Sequence, residues 1–264
     1  MITINIDPVA FLNVRWYGIM VALAITVLIL WTLWQVRKGA NVSYDTVLTA
    51  AVIGIPSGIV VSRLLHVIDR WDYYSQNLGQ IIGAEGLTIY GAVLGAALGI
   101  WVYSKFSNFQ FGYLADLLAP GIILAQAIGR VGCTINGCCH GIKAPSWLPW
   151  GIIYPSHPYN YYVSPFSLKD VPLHPTQIYE IIFNLIVFGV LFKLRGRFKP
   201  DGSLFLIYLG IYSSWRVGIS FLREGTPFLL GLQQAQVIGL IVLVIAIFWL
   251  VYKARWVKTE SSVQ

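Results

Sequence analysis

The chain is poor in charge. Of its 264 residues only 11% are Asp, Glu, Lys or Arg, whereas 57% are hydrophobic. A soluble domain carries about 25% charged residues, and the mean hydropathy of this chain is correspondingly high at +0.69. The composition therefore excludes an ordinary soluble domain and predicts an all-α integral membrane protein, since helices satisfy their own backbone hydrogen bonds in lipid.

Cysteine is also scarce, and its three copies, Cys133, Cys138 and Cys139, lie close together. Three such thiols cannot form an ordinary disulfide framework. With His140 they could be a metal or redox site, since thiolate and imidazole are good ligands. The paired C-x2-C spacing is missing, however, and four neighbouring donors do not easily surround one ion. We therefore expect no metal and no cofactor, and interpret the thiols as apolar fillers, with a Cys138 or Cys139 disulfide to another protein as an alternative.

A basic leader is missing as well. The chain opens MITINIDPVAF, and its first apolar run is too long for a cleavable signal peptide. About 20 apolar residues cross a bilayer. Seven segments meet this length: 16–36, 46–67, 86–104, 113–131, 174–194, 203–222 and 233–252. We expect one multi-pass membrane domain over residues 1–264, without a sizeable soluble domain.

The net charge of +7 would suit a nucleic-acid partner, but the basic residues fall at helix ends instead of in one patch. With the N-terminus outside, the inner ends receive Arg37, Lys38, Lys105, Lys193, Arg195, Arg197, Lys199, Lys253, Arg255 and Lys258. The outer loops receive only Arg15, Arg70, Lys143 and Lys169. This asymmetry predicts an outside N-terminus and a cytoplasmic C-terminus. Residues 132–173 then form an outer loop or small head, and we expect no nucleic-acid partner.

The most polar stretch is Gly129–Gly141, GRVGCTINGCCHG, which follows the apolar fourth span. Charge at membrane depth is costly and usually functional, so Arg130 is a candidate site residue. Arg216 and Arg223 on the sixth span are seven residues apart and share one helical face. They need an anionic partner. It is either one of the acids Glu85, Asp116, Glu180 and Glu224, or an anionic ligand such as a phospholipid headgroup, for which arginine is a natural bidentate partner.

Two further motifs border the spans. HPTQIYE opens the fifth span and places His174, Gln177 and Glu180 at three-residue steps. These residues either cap the helix or form a polar wall of an outer cavity. On the third span Gly91, Gly95 and Gly99 recur every four residues, and Gly54 and Gly58 do so on the second, which is typical of close helix packing. Tyr90 stands beside that glycine ridge and is either a packing or a functional residue.

Five short sequence segments of this chain occur together, in the same order, in one protein family. They are RWYG at 15–18, IYGAVLG at 89–95, GRVGCTINGCCHG, HPTQIYE and WRVGISFLRE at 215–224. The chain resembles the prolipoprotein diacylglyceryl transferases over nearly its whole length. The resemblance implies a seven-span enzyme of the bacterial inner membrane that performs the first step of lipoprotein maturation. It implies transfer of the diacylglyceryl group of phosphatidylglycerol to the lipobox cysteine thiol of a prolipoprotein, with release of glycerol phosphate and without a cofactor.

The resemblance also implies roles for individual residues. Arg130 and Arg223 match the two arginines that hold the phosphate. The other residues implied or expected at the site are Tyr17, Asn136, Gly141, Gln177 and Arg216 for substrate binding, and Tyr90 and His174 for catalysis. Tyr90 stands where a histidine is frequent, so a histidine base at that position is ruled out. Cys133, Cys138 and Ser220 also depart from the pattern, which has asparagine, an acid and glutamate there.

Two other classes of function stay open on the sequence. Intramembrane arginines and glycine-broken helices also suit an anion or lipid transporter, although no inverted repeat is visible between the two halves. A non-catalytic lipid-binding protein of the same fold is the other alternative, because the frequent histidine is missing. The general base is not identified, and His174 and His140 are the candidates by residue type and side of the membrane.

Overall fold

The computed structural model describes most of the chain, namely residues 1–4, 6–7, 9–12, 14–82, 89–154, 171–223, 225 and 227–256, without the side chains of residues 89, 90 and 256. Its α-helices are α1 Trp16–Arg37, α2 Tyr44–Asp69, α3 Trp71–Tyr74, α4 Ile89–Lys105, α5 Phe111–Asn136, α6 Thr176–Leu194, α7 Ser203–Ser220 and α8 Gln234–Lys253. A short 3-10 turn spans Leu78–Gln80. The chain is thus all-helical apart from short strands, as its composition predicts.

The described residues also contain eight strands of two or three residues each. They are β1 Ile2–Thr3, β2 Val9–Phe11, β3 Val14–Arg15, β4 Ile152–Ile153, β5 Phe198–Lys199, β6 Pro227–Leu229, β7 Leu232–Gln233 and β8 Arg255–Trp256. β1 pairs with β4 in parallel, whereas β2–β3, β5–β8 and β6–β7 are antiparallel. Each pair is a separate two-stranded sheet, so the described strands do not form a larger β-sheet.

Within the described residues, five helices are long and apolar enough to cross a membrane: α1, α2, α5, α6 and α8. The chain is therefore an integral membrane protein by length and composition of its helices. A helix also lies at each of the two other predicted segments, α4 with 17 residues and α7 with 18. Both are less suited to lipid, since α4 is short and α7 carries Arg216 and several serines.

Helix α5 differs from the prediction at its C-terminus. We expected it to end near residue 131, before the polar cluster, but it continues to Asn136 and ends where Gly137 adopts a positive φ of 69°. Glycine takes this left-handed conformation at little cost and commonly terminates helices. Arg130 is consequently a residue within a regular helix, about 1.7 turns before its end.

The chain divides into two compact units, one of Met1–Trp31 and Ala115–Gln264 and the other of Thr32–Leu114. The core of the first unit lies between α5, α6 and α7, where the buried residues are Ala119, Ile123, Val187, Leu191, Leu204 and Tyr208. Asp116 on α5 accepts hydrogen bonds of 2.8 Å from the backbone N–H groups of Gly202 and Phe205. A carboxylate at a helix N-terminus satisfies its open N–H groups, so Asp116 joins α5 to the start of α7.

The second unit is held by close packing of α2 against α4, as their glycine spacing predicts. A Cβ atom on Gly58 would lie 2.9 Å from the carbonyl oxygen of Ala92, and one on Gly95 would lie 2.6 Å from Cβ of Val61. Such distances leave no room for a side chain. Small residues at these positions let the two backbones approach, which is how helices associate in lipid.

Replacing Gly95 by alanine is expected to destabilise this unit. Alanine in a helix interior is normally better than glycine by about 1 kcal/mol, but here the added methyl group meets Val61, and overpacking costs about 1–3 kcal/mol. The matched control is Gly189→Ala on α6, where an added Cβ has nothing within 4 Å. Thermal unfolding of the purified proteins checks this, and a Gly95→Ala midpoint equal to or above that of Gly189→Ala would contradict it.

Candidate functional site

Three arginines converge on one buried glutamate in the first unit. Glu180 lies in the second turn of α6, and its side chain is 1% exposed. Its Oε2 atom forms an ion pair with Nε of Arg130 on α5 and lies 4.0 Å from Nη1 of Arg223, just after α7. Its Oε1 atom lies 3.4 Å from Nη1 of Arg216 on α7. The sequence left the partner of these arginines open, and the structure identifies Glu180.

Among the described residues, the one other acid considered as a partner does not take this place. Asp116 caps the start of α7, as described above. Glu85 and Glu224 lie outside the described residues. Glu180 reaches the arginines because one face of α6 is polar and turned inward: Thr176, Gln177, Glu180 and Asn184 are each at most 1% exposed. That face forms a polar wall of the cluster, and the N-cap residue of the helix, Pro175, makes no side-chain cap hydrogen bond.

The arginine cluster, Arg130, Arg216 and Arg223, carries more positive charge than Glu180 compensates. Among the described residues, three guanidinium groups and one carboxylate leave a net charge of +2, and the three arginine side chains are only 14–21% exposed. The buried Nη1 atom of Arg223 has no hydrogen-bond partner among the described residues. Desolvated charge requires partners and hydrogen bonds. The arrangement is therefore suited to an anion that brings oxygen acceptors and negative charge.

The backbone around Gly141 joins the segments that carry these charges. The N–H group of Gly141 donates to the carbonyl of His174 at 2.9 Å, and that of Ile142 donates to the carbonyl of Leu222 at 2.9 Å. A Cβ atom on Gly141 would lie 2.7 Å from Cβ of His174 and 2.8 Å from Cγ2 of Thr176. Only glycine fits between the start of α6 and the end of α7. Gly141 thus acts through packing, which brings Arg223 toward α6.

Two more side chains, one just before α8 and one at the end of α7, fix the same region. Gln233, which precedes α8, donates from Nε2 to the carbonyls of Arg223 at 2.9 Å and Ser220 at 3.2 Å. The Ser220 hydroxyl donates to the carbonyl of Arg216 at 2.6 Å. Ser220, which replaces the frequent glutamate of the family pattern, therefore contacts backbone and leaves the arginines to Glu180.

The loop after α5 is held from α6 and from Tyr154. Gln177 donates from Nε2 to the carbonyl of Cys138 at 2.7 Å and approaches the Tyr154 hydroxyl at 3.3 Å. That hydroxyl donates to the carbonyl of Thr134 at 3.1 Å. Burial raises the pKa of Tyr154, so the phenol stays a donor. Asn136, at the end of α5, is buried and interacts with the thiol of Cys138.

The remaining predicted residues are Tyr17, His174, His140 and Tyr90. Tyr17, near the start of α1, is within electrostatic range of Arg130. Nδ1 of His174 lies 3.4 Å from the hydroxyl of Tyr179. Nδ1 of His140 lies 3.1 Å from the carbonyl oxygen of Gly141. Tyr90 belongs to α4, but its side chain lies outside the described residues.

Two tyrosines of the site were missed from the sequence. Tyr212 on α7 hydrogen-bonds Arg130 and is also near Glu180 and Arg216. Tyr154 lies in a loop of aromatic residues, where nothing in the pattern distinguishes it. For Tyr212 a signal was available, since it precedes Arg216 by four residues and therefore shares its helical face.

Comparison with known proteins gives a consistent result. The sequence model of the prolipoprotein diacylglyceryl transferase family matches residues 4–252. Two similar relatives from Dehalococcoides mccartyi carry the name phosphatidylglycerol–prolipoprotein diacylglyceryl transferase. The protein of strain 195 is 51% identical over 99% of each chain, and that of strain BAV1 is 49% identical over 100% of each chain. A protein of the same name from Clostridioides difficile is 36% identical over 97% of this chain and 99% of its own.

Replacing Glu180 by glutamine tests the charge balance of the cluster. Removing one partner of a buried ion pair costs about 3–5 kcal/mol, and here it leaves three arginines without their carboxylate. We expect Glu180→Gln to lower the midpoint of thermal unfolding strongly, and added phosphate to recover part of the loss, since an anion that binds the folded state stabilises it.

The matched control is Asp201→Asn, which breaks the exposed ion pair of Asp201 with Lys199. Exposed pairs contribute about 0–1 kcal/mol, so the control should unfold close to the unmodified protein. Equal shifts of the unfolding midpoint in the two variants would contradict this charge balance. So would a Glu180→Gln midpoint that phosphate does not change.

Proposed function

The chain belongs to the prolipoprotein diacylglyceryl transferase family, and from this membership we infer that it catalyses the first step of lipoprotein maturation. It is a transferase that moves the diacylglyceryl group of phosphatidylglycerol to the cysteine thiol of a prolipoprotein. The single observation that supports a working site in this chain is the arginine cluster around Glu180, because it has the charge and hydrogen-bond donors that a phospholipid phosphate requires.

The cluster suits the leaving group better than the substrate. The phosphodiester of phosphatidylglycerol carries one negative charge, whereas the glycerol phosphate that departs carries about −1.5 to −2 near neutral pH. The net charge of +2 at the cluster matches the second species. Fixed cations placed where charge develops stabilise the transition state, and their effect is larger away from water. The charge balance thus favours transfer over mere binding.

We assign the phosphate to Arg130 and Arg223. Both pair with the same oxygen of Glu180, and Nη1 of Arg223 is the buried donor without a hydrogen-bond partner in the described part of the chain. Arg216 pairs with the other carboxylate oxygen and keeps Glu180 from neutralising the first two completely. Gln177 and Asn136 hold the loop beside the phosphate, Gly141 permits the backbone approach, and Tyr17 contributes a hydroxyl at the rim.

The reaction requires one proton transfer and one displacement. The incoming thiol loses its proton, its sulfur forms a bond to the glyceryl carbon, and the carbon–oxygen bond to the phosphate breaks with both electrons on oxygen. His174 is our proposed proton acceptor. If its Nδ1 donates to the Tyr179 hydroxyl at 3.4 Å, Nε2 of the neutral imidazole is the acceptor. Tyr90 is proposed to donate a hydrogen bond to a phosphate oxygen, because a phenol with a pKa near 10 is a poor base.

For the membrane arrangement we propose seven spans in the bacterial inner membrane, formed by the five apolar helices together with α4 and α7. The N-terminus is outside and the C-terminus cytoplasmic. Basic side chains at three proposed inner ends fold back onto aromatic rings: Lys105 onto Trp101, Arg195 onto Phe192 and Lys253 onto Trp249. A cation over an aromatic ring is attracted by the ring quadrupole, and aromatic residues are common at membrane interfaces. Residues 1–264 form one multi-pass domain whose outer loop, predicted as 132–173, begins after Asn136, and the arginine cluster lies toward the outer side.

Loss of either phosphate-binding arginine is expected to abolish transfer. Arg130→Ala and Arg223→Ala each remove a charge where the leaving phosphate develops, and loss of one such donor costs about 100- to 1000-fold in rate. The assay mixes purified protein with phosphatidylglycerol and a lipobox peptide and measures the thioether-linked diacylglyceryl peptide by mass spectrometry.

The matched control is Arg37→Ala at the end of α1, which removes an exposed arginine far along the helix from Tyr17 and is expected to leave the rate unchanged. A rate near that of the unmodified protein in Arg130→Ala or Arg223→Ala would refute the phosphate role of that arginine. Absence of product from the unmodified protein, under conditions where a curated relative works, would refute the activity itself.

The proposed orientation predicts which loops meet the outside. In a variant with serine at Cys133, Cys138 and Cys139, a single cysteine is placed at Trp147 or at Phe106, whose side chains are 74% and 87% exposed. A membrane-impermeant maleimide should label Trp147→Cys in intact cells and should label Phe106→Cys only after permeabilisation. Equal labelling of both in intact cells would contradict the arrangement.

A further inference from the structure

The proposed function makes no use of the three cysteines, although the fold brings them together. Cys133 lies in the last turn of α5, and Cys138 and Cys139 follow the helix. All three are free thiols. Their Sγ atoms lie within 4.8 Å of one another. We name Cys133, Cys138 and Cys139 the thiol cluster.

The backbone that forms the thiol cluster is constrained independently of the sulfur atoms. Gly137 and Cys139 both adopt positive φ angles, of 69° and 64°. This conformation is unfavourable for a residue with a Cβ atom and persists only where the surroundings impose it. Here the carbonyl of Cys138 accepts from Gln177 at 2.7 Å and that of Cys139 accepts from Thr176 at 2.8 Å. Buried side chains of α6 therefore hold the turn that directs the sulfurs toward one point.

We propose that the thiol cluster is a binding site for a soft, thiophilic metal ion of the Zn(II) or Cu(I) type, held by three thiolates. Thiolate ligands select these ions over hard cations. At a metal–sulfur distance of about 2.3 Å, sulfurs around one ion are separated by about 3.8 Å. The cluster is thus within about 1 Å of that separation, a difference that small side-chain rotations can close.

The sequence-based objection to a metal concerned spacing. Four donors within eight residues, His140 included, do not easily surround one ion, and the paired C-x2-C spacing is missing. The structure removes this objection for three of the donors, because the left-handed turn at Gly137 and Cys139 folds the segment back on the end of α5. His140 is not needed, and its Nδ1 atom lies 3.1 Å from the carbonyl oxygen of Gly141. Three protein ligands leave a fourth position on the ion for a water or a small ligand.

The charge of the surroundings favours such a complex. Three thiolates with Zn(II) carry a net charge of −1, and with Cu(I) a net charge of −2. The positive charges of Arg223 and Arg130 lie within electrostatic range of Cys139. The same uncompensated charge that suits a phosphate thus also stabilises an anionic metal–thiolate complex beside it.

The test is a metal titration of the purified full-length protein, reduced and freed of metal. Zn(II) is added in one series and Cu(I) in another, each against a chromogenic chelator that competes for the ion. We expect one ion per chain in at least one series. Co(II) in place of Zn(II) should give thiolate-to-metal charge-transfer bands. Cys139→Ser should weaken binding by at least about 100-fold, since even loss of a residue behind a metal ligand costs 10–100-fold.

The matched control is Thr134→Val, next to Cys133, which removes a hydroxyl that donates to the carbonyl of Arg130 and should keep the affinity. A second measurement needs no variant: the ion should protect all three cysteines of the unmodified protein from alkylation by a maleimide, and a chelator should restore their reactivity. No stoichiometric binding in either series, equal affinity in Cys139→Ser, or alkylation at an unchanged rate would each overturn the proposal. None of these measurements depends on the transferase activity.

Discussion

A single buried carboxylate, Glu180, makes the rest of the site possible. Three guanidinium groups could not lie together at membrane depth without it, since each would be desolvated and would repel the other two. Because Glu180 is almost fully buried and pairs through both oxygens, it attracts arginines from α5, from α7 and from the segment after α7 to one point. It compensates only one of three positive charges. Glu180 therefore brings the three arginines together and at the same time leaves part of their positive charge uncompensated.

Most of the local architecture serves to hold this arrangement. Asp116 binds the start of α7 to α5, and Gln233 fixes the backbone of Arg223 from the start of α8. Gly141 lets the loop after α5 touch both α6 and the end of α7, which no residue with a side chain could do without displacing its neighbours. These contacts are short-range and mostly to backbone groups. They make the positions of the charges a property of the fold rather than of flexible arginine side chains.

Much of this was predictable from the sequence. The α2–α4 contact followed from a four-residue glycine repeat, and a helix occurs at each predicted span because apolar length is a strong signal. The partner of the arginines was not predictable, because choosing Glu180 over Asp116 requires knowing which face of each helix turns inward. The C-terminus of α5 was placed too early, since polar residues were taken to end the helix, whereas Gly137 ends it. The three thiols lie close together because of one left-handed turn, and the spacing of the cysteines in the sequence does not predict such a turn.

The number of arginines is the remaining question, since two would suffice to pair a glutamate and a phosphodiester. Two arginines with Glu180 would leave a charge of +1, which balances the single negative charge of the bound lipid but only about half of the charge on the departing phosphate. The third arginine raises the excess to +2 and so favours the state in which the phosphate carries its second negative charge. Only a difference between ground state and transition state accelerates the reaction. On this argument we propose that Arg216, which contacts Glu180 at 3.4 Å on the oxygen that Arg130 and Arg223 do not use, contributes to catalysis without touching the phosphate.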